Sequence, residues 1–490
     1  MPFLHGFRRI VLEYQPLVDE LLGLLATPDM ERQSSLESPA CLDSDRSQFS
    51  AVRGVLERET HSPFYQEGVN YALLKVSELG LVPAAEILLE FGADLSFEDP
   101  ITYYTPLHIA VLRNQLDVVE LLVRHGADIN RRDRIHESSP LDLASEEPER
   151  LPCLRRLLQL GADVNAADKN GKTALLHALA SSNSGQIHNT DNIRLLLEGG
   201  KENLLPFLGW LILCTAPGTA LLTPLCSCWI RLKPRGAGVG AGLASPAPHC
   251  TVLQCQLCSL SLPAGADVRA ATKDGDTVFT YVIYLLGEMV FSYTKEQAED
   301  IERFCFCVTQ LLLAHGANPS ECPASESLTH FCLKSFKDYF PMLRFLLESG
   351  AAYNCSLHGP SCWSGFHIAF ERLCWHLSRS EDETYFTDLI QKGQTLLELM
   401  MASSQAIQLP SNFEVNTSSC RFHGEKVQTL FCSLKQLERS PQALKHLCRV
   451  FIRQCLKPWP VDDKIKALPL PDRLKWYLCI DHAAAGHEGL

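Results

Sequence analysis

The triplet Gly-Ala-Asp, or a near relative of it, recurs at Gly92, Gly126, Gly161, Gly265, Gly316 and Gly350, and three of the gaps are 34, 35 and 34 residues. A period of that size constrains the fold more than composition can. It has room for two short helices and a turn, which bury too little apolar surface to stand alone. Each unit must cover its neighbour, so the chain is expected to stack into a quasi-one-dimensional solenoid with a continuous core.

A second string follows each glycine. It reads Thr105-Pro106-Leu107-His108-Ile109-Ala110, then Ser139-Pro140-Leu141-Asp142-Leu143-Ala144, then Thr173-Ala174-Leu175-Leu176-His177-Ala178. Weaker copies stand at Thr277-Val278-Phe279, Ser327-Leu328-Thr329-His330 and Ser364-Gly365-Phe366-His367-Ile368-Ala369. Thr105 is suited to cap a short helix, with Pro106 at its first position, where no backbone N–H partner is needed. A second helix is expected through Val118-Val119-Glu120-Leu121-Leu122-Val123, closed by Gly126 in the left-handed conformation. His108, His177, His330 and His367 fall at about one position of the repeat and are expected to brace turns. These units resemble ankyrin repeats over about residues 66–400, six or seven of them. The resemblance implies an all-α solenoid.

Residues 201–265 interrupt the pattern. Joining Gly200 to Ala266 gives Leu-Glu-Gly-Gly-Ala-Asp-Val, the junction the other units have. The interruption holds six of the 20 cysteines and no charge from Asn203 to Ile230, a length that could cross a bilayer. Pro206, Pro217, Gly218 and Pro224 break such a span. His249, Cys250, Cys255 and Cys258 include one Cys-x-x-Cys pair, too few for a zinc finger. Gly236, Gly238, Gly240 and Gly242 alternate, missing the nucleotide-loop spacing. The reading we adopt is a splice-derived insertion without a selected structure.

Beyond a stretch at 403–440 that reads as a linker, a tight pattern returns over 441–480, followed by a tail at 481–490. Ser440 and Pro441 suit an N-cap and first helical position. Leu444, Leu447, Cys448, Phe451, Ile452 and Cys455 then form an apolar stripe, with Lys445, His446, Arg449 and Arg453 on the remaining face. Lys457-Pro458-Trp459-Pro460 ends the helix. Leu468-Pro469-Leu470-Pro471 and a short helix, Asp472 to Leu478, come after it.

This region resembles the SOCS box, which makes the expected fold an all-α ankyrin-repeat solenoid followed by a small helical SOCS box. Its parts are expected at 1–65 (N-terminal helix and linker), 66–200 and 266–402 (repeats) and 441–480 (box). The resemblance implies elongin-binding roles for Ala443, Leu444, Cys448 and Ile452, and cullin-binding roles for Leu468, Pro469, Leu470 and Pro471. Solenoid plus box is similar to the ankyrin repeat and SOCS box family. Its members join elongin B, elongin C, cullin-5 and a RING-box protein into a ubiquitin ligase. A protein substrate would then be captured by the repeats. Tyr103 and Tyr104 on one hairpin tip, and Arg131, Arg132, Arg134 and His136 on the next, are the candidate anchors, because aromatics and arginines dominate interface energetics.

Composition closes off other classes. The net charge of −13 gives nucleic acid no electrostatic footing. Glu13, Asp19 and Glu20 stand within the apolar pattern at the N-terminus, unlike a signal sequence, so a cytoplasmic setting with cysteine thiols is expected. No His-Glu-x-x-His, Gly-x-Ser-x-Gly or phosphate loop appears, so the chain is expected to be no enzyme and to need no metal or cofactor.

Overall fold

A computed structural model describes residues 3–25, 41–181, 189–199, 265–289, 294–320, 326–353, 365–379, 383–403, 409, 413–417, 424–440, 443–456 and 461–479. Helices α1 (Phe3–Leu25) and α2 (Cys41–Glu59) precede the repeats. The pairs are α3 (Tyr65–Leu79) with α4 (Val82–Glu90), α5 (Pro106–Leu112) with α6 (Leu116–Arg124), and α7 (Pro140–Ser145) with α8 (Leu151–Gln159). They continue as α9 (Ala174–Ala180) with α10 (Thr190–Leu197), and α11 (Val278–Met289) with α12 (Lys295–Ala314). The last are α13 (Leu328–Lys334) with α14 (Phe340–Glu348), and α15 (Gly365–Arg379) with α16 (Glu383–Ser403). First helices stack on first helices and second on second, and one apolar core runs the length of the stack. Among the described residues only isolated β-bridges occur, at Ala167–Thr173 and Ala271–Thr277.

Two of the recurring strings work as reciprocal caps, whereas Thr173 makes no side-chain cap bond at α9. At α5, Thr105 accepts from the third helical residue, and its own N–H donates to His108 Nδ1 at 3.3 Å. At α7 the same two bonds join Ser139 and Asp142, at 3.2 and 2.8 Å. Thr277 and Thr280 pair similarly at α11. The side chain at this place changes while its duty does not, which is to satisfy donors that a helix start leaves free. At the other end, Gly126 has φ +96°, and the Ala127 N–H donates to Leu122 O at 3.0 Å. Open space surrounds a Cβ added to Gly126, so its necessity is conformational rather than steric.

That closing bond also recurs in the unit that contains the interruption. In the fourth unit the Ala266 N–H donates to Leu196 O at 2.9 Å, the counterpart of Ala127 on Leu122. The Asp267 N–H reaches Asn165 Oδ1 at 2.8 Å, as Asp163 reaches Asn130 Oδ1 at 2.9 Å one unit earlier. The repeat therefore closes across the interruption, whose residues 201–264 lie outside the described ones.

Both ends of the stack are covered. Val52, Val55 and Leu56 of α2 are buried, and Arg58 pairs with Glu20 at 2.7 Å. At the far end the stretch read as a linker instead carries a helix, α17 (Gly424–Arg439), whose Val427, Phe431 and Leu434 are buried. Phe431 meets Phe370 and Phe413 with ring centroids 5.6 and 5.1 Å apart. An unpaired last repeat would expose Phe370, and this aromatic trio hides it.

The histidines do not behave alike. His108 is buried, and its Nε2 lies 3.3 Å from Ser138 O in the next unit. Burial pushes its pKa down to about 4. His177 stands one place later in its string, 3.3 Å from Glu146 and 3.4 Å from Asp168. Burial works against its charge, but Glu146, Asp142 and Asp168 outweigh it and raise the pKa.

Two expectations follow from these features. Deleting residues 201–265 shortens the connection between Gly199 and Ala266, where a flexible connection costs about 0.6 kcal/mol per doubling of length, and leaves the Leu196–Ala266 bond in place. The shortened chain should melt higher and more sharply; loss of folding would show that the insertion carries part of the core. His177, with a raised folded pKa, lends stability that is full below its unfolded value of about 6.5 and disappears as pH rises through the folded one. The melting-temperature deficit of His177→Gln should accordingly be larger near pH 5.5 than near pH 8.5, roughly one unit below and two above that value. A pH-independent deficit would mean that the ring is neutral in the fold.

Candidate functional site

The site is a box of three helices, α18 (Leu444–Cys455), α19 (Val461–Ala467) and α20 (Asp472–Leu478). The expected N-cap is displaced. Ser440 donates its hydroxyl to Gln436 O at 2.9 Å, finishing α17, while Ala443 is extended and begins α18 by accepting from His446 and Leu447. Pro441 lies outside the described residues.

Helix α18 has two apolar faces, and only one was evident from the pattern. Leu444 is 76% exposed, Phe451 63% and Leu447 39%, with Cys448 and Cys455 also open to solvent. On the opposite side Val450 and Arg453 are buried. Ile452, at the edge of the stripe, is half-buried against the box's own small core of Val461, Ile465 and Leu478. The residues proposed to meet elongin thus divide: Ala443, Leu444 and Cys448 are exposed, and Ile452 also holds the box together.

Arg453 belongs to the face that pattern reading passed over as polar. Its Nη1 donates to Asp462 Oδ1 at 2.8 Å and to Leu478 O at 2.9 Å, and its Nη2 donates to Glu348 O. Those contacts join all three box helices to the last turn of α14. The available signal was Val450, an apolar residue three places before Arg453 on the supposedly polar face.

The Leu-Pro-Leu-Pro strip also alternates. Leu468 and Leu470 pack on the box core, while Pro469 and Pro471 are exposed. Pro471 O accepts from Leu474 and Lys475 N–H and so starts α20. Tyr477 on α20 lies beneath two cations of α18, Lys445 at 4.4 Å and Arg449 at 4.9 Å from its ring centre.

On the repeats, the tip residues are brought to neighbouring hairpins but are largely occupied. Arg131 and Arg134 both pair with Glu98. Arg132 donates to Glu137 O at 2.8 Å and to Ala167 O, bracing its own hairpin and the next. Tyr104 stacks on His108 with centroids 5.6 Å apart. Tyr103, at φ +58° and 37% exposed, and His136 remain on the surface. Ile101 (78% exposed) and Ile135 (42%) stand on the same tips, and sequence reasoning overlooked them. A 490 Å³ recess below the first tip is floored by Tyr71, Leu74, Ile109 and Leu112.

Comparison with known proteins agrees with both halves. The SOCS box signature matches residues 440–479, and ankyrin-repeat signatures match 51–133, 73–168 and 141–197. Over 490 residues, all of both chains, the sequence is 60% identical to Ankyrin repeat and SOCS box protein 6 of Pongo abelii and to that of Homo sapiens. The chain belongs to the ankyrin repeat and SOCS box family. The protein of the same name from Mus musculus is 59% identical over 99% of each chain. SOCS box proteins act as substrate-recognition adaptors of elongin–cullin–RING ligases and are generally non-catalytic subunits. Within this family framework the first ankyrin match begins at residue 51, inside α2, ahead of the 66 read from the repeat strings. The last stops at 197, where the insertion begins to interrupt the fourth unit.

Among the described residues no helix is long and apolar enough to cross a membrane, and no cluster of ligands could hold a metal ion. Asn203 to Ile230, the glycine run and the His249, Cys250, Cys255 and Cys258 group lie outside the described residues.

Proposed function

We propose that this chain is the substrate receptor of a cytoplasmic ubiquitin ligase built from elongin B, elongin C, cullin-5 and a RING-box protein, and that the captured protein is ubiquitinated and passed to the proteasome. The observation that carries the proposal is the open stripe of α18. A helix that leaves Leu444 at 76% and Phe451 at 63% exposure, while burying Val450 behind it, is arranged to lay that stripe into a partner's groove. Leu444 and Cys448 are assigned to elongin C, with Ala443 at the entry and Ile452 at the edge. Cys448 offers a small side chain between larger ones, where the groove wall comes close.

Pro469 and Pro471 are assigned to cullin-5, with Leu468 and Leu470 holding the strip in place from below. A proline-stiffened segment loses little entropy on docking. The client surface is assigned to the early repeats, where Tyr104 lines the recess, Tyr103 and His136 stand exposed on the tips, and Arg131, Arg132 and Arg134 stiffen them. The chain's contribution to transfer is proximity, raising the effective concentration of a client lysine near the charged conjugating enzyme.

Burying one leucine is worth roughly 1.5–3 kcal/mol, so its loss should weaken docking about ten- to a hundredfold. Leu444→Ala with Cys448→Phe should remove elongin B and C from pull-downs, and cullin-5 with them, without changing the melting of the repeats. Pro469→Ala with Pro471→Ala should release cullin-5 and keep the elongins. Retention of elongin C at the parent level by the first double variant would refute the receptor reading.

A further inference from the structure

The last repeat holds a second recess, of 320 Å³, between one face of α15 and the segment 413–417. His367, Phe370, Glu371 and Trp375 line it from the helix, at spacings of three and four residues, and Phe413 and Glu414 line it from the segment. His367 and Phe413 rings lie 4.7 Å apart, and Phe370 is 6.1 Å from Phe413. The floor is therefore aromatic. Among the described residues, the charged ones lining the recess, Glu371 and Glu414, are both acidic. Glu371 is 40% exposed and reaches Arg372 only at 3.7 Å, and Glu414 is exposed. Burial holds His367 below its ordinary pKa, with Glu371 pulling the other way, so near neutral pH the ring presents a π face without a positive charge.

The recess by the first tip differs. Its Glu78 is paired with both Lys75 and Arg113, at 3.1 and 2.6 Å, and its Asp99 is engaged by Thr102, so neither carboxylate is open to a further cation. Arg379 of the same helix stacks on one face of the Trp375 ring at 4.2 Å without itself lining the recess.

We infer that the α15 recess receives a single arginine or lysine side chain of the captured protein, its stem along His367 and its cationic head between Trp375, Glu371 and Glu414. The inference rests on the receptor reading, and it places a charge-selective subsite at the end of the array nearest the box. Aromatic faces and carboxylates together favour a partly desolvated cation over any neutral side chain of equal length.

The test uses the full chain and two short peptides, acetyl-Gly-Ser-Arg-Ser-Gly-amide and the same peptide with neutral citrulline. In saturation-transfer NMR the arginine methylene protons should receive saturation and the citrulline ones markedly less. Glu371→Gln with Glu414→Gln should weaken arginine-peptide binding by about tenfold. Asp117→Asn with Glu149→Gln removes the same charge elsewhere on the surface and should leave binding unchanged. Trp375→Leu should lose binding and Trp375→Phe keep most of it, with melting curves confirming the fold. Equal saturation of the two peptides, or equal effects of the two charge-removing pairs, would overturn the inference. Elongin pull-down from the same samples separates this outcome from failure of the receptor reading, because the recess variants leave α18 untouched.

Discussion

The guanidinium of Arg453 satisfies two helix C-termini and one carboxylate at once, and the relation between repeats and box depends on it. Leu478 O ends α20 and Glu348 O ends α14, and Asp462 lies near the start of α19. Carbonyls at a helix C-terminus carry partial negative charge and favour a cation. Without the arginine, two part-buried acceptors and a carboxylate would lose their partner, at a cost of about 1–3 kcal/mol for each group left unsatisfied. Arg150 does similar work within the array, donating to Leu143 O at 2.8 Å and Leu112 O at 3.3 Å. Arginine is suited to both places because its rigid fork reaches several acceptors from one buried position.

This junction gives α18 its directionality. By burying Val450 and Arg453 against the rest of the protein, it leaves Leu444, Cys448 and Phe451 pointing away from the array. The array in turn is braced by recurring closures, reciprocal caps at α5 and α7 and left-handed glycines at Gly92, Gly126, Gly161, Gly316 and Gly350. A braced array and a fixed box would hold a captured protein at a reproducible distance from the ligase. Under the proposed receptor function, the chain's contribution would be geometric.

Much of this was legible in the residues. The glycine period located the helix pairs, and the Thr/Ser strings located their starts, because both features answer local backbone needs that tertiary packing does not change. The stripe on α18 was legible for the same reason. What escaped was non-local. Nothing around Arg453 announces that its partners lie 25 and 105 residues away. Arg131 and Arg134 looked like free anchors because Glu98 stands 33 and 36 positions before them, in another unit. The helix α17 was missed because its apolar positions, Val427, Phe431 and Leu434, only make sense once Phe370 needs a cover. The leucines of the Leu-Pro-Leu-Pro strip read as a docking motif alone, although each also fills the box's core.

The claim that one buried arginine couples the box to the repeats can be tested by hydrogen exchange with mass spectrometry on Arg453→Met and the parent chain. The account predicts that amides of α19, α20 and the last turn of α14 lose protection together, while α5 to α9 exchange as before. Loss of protection confined to the box, with α14 unchanged, would contradict it.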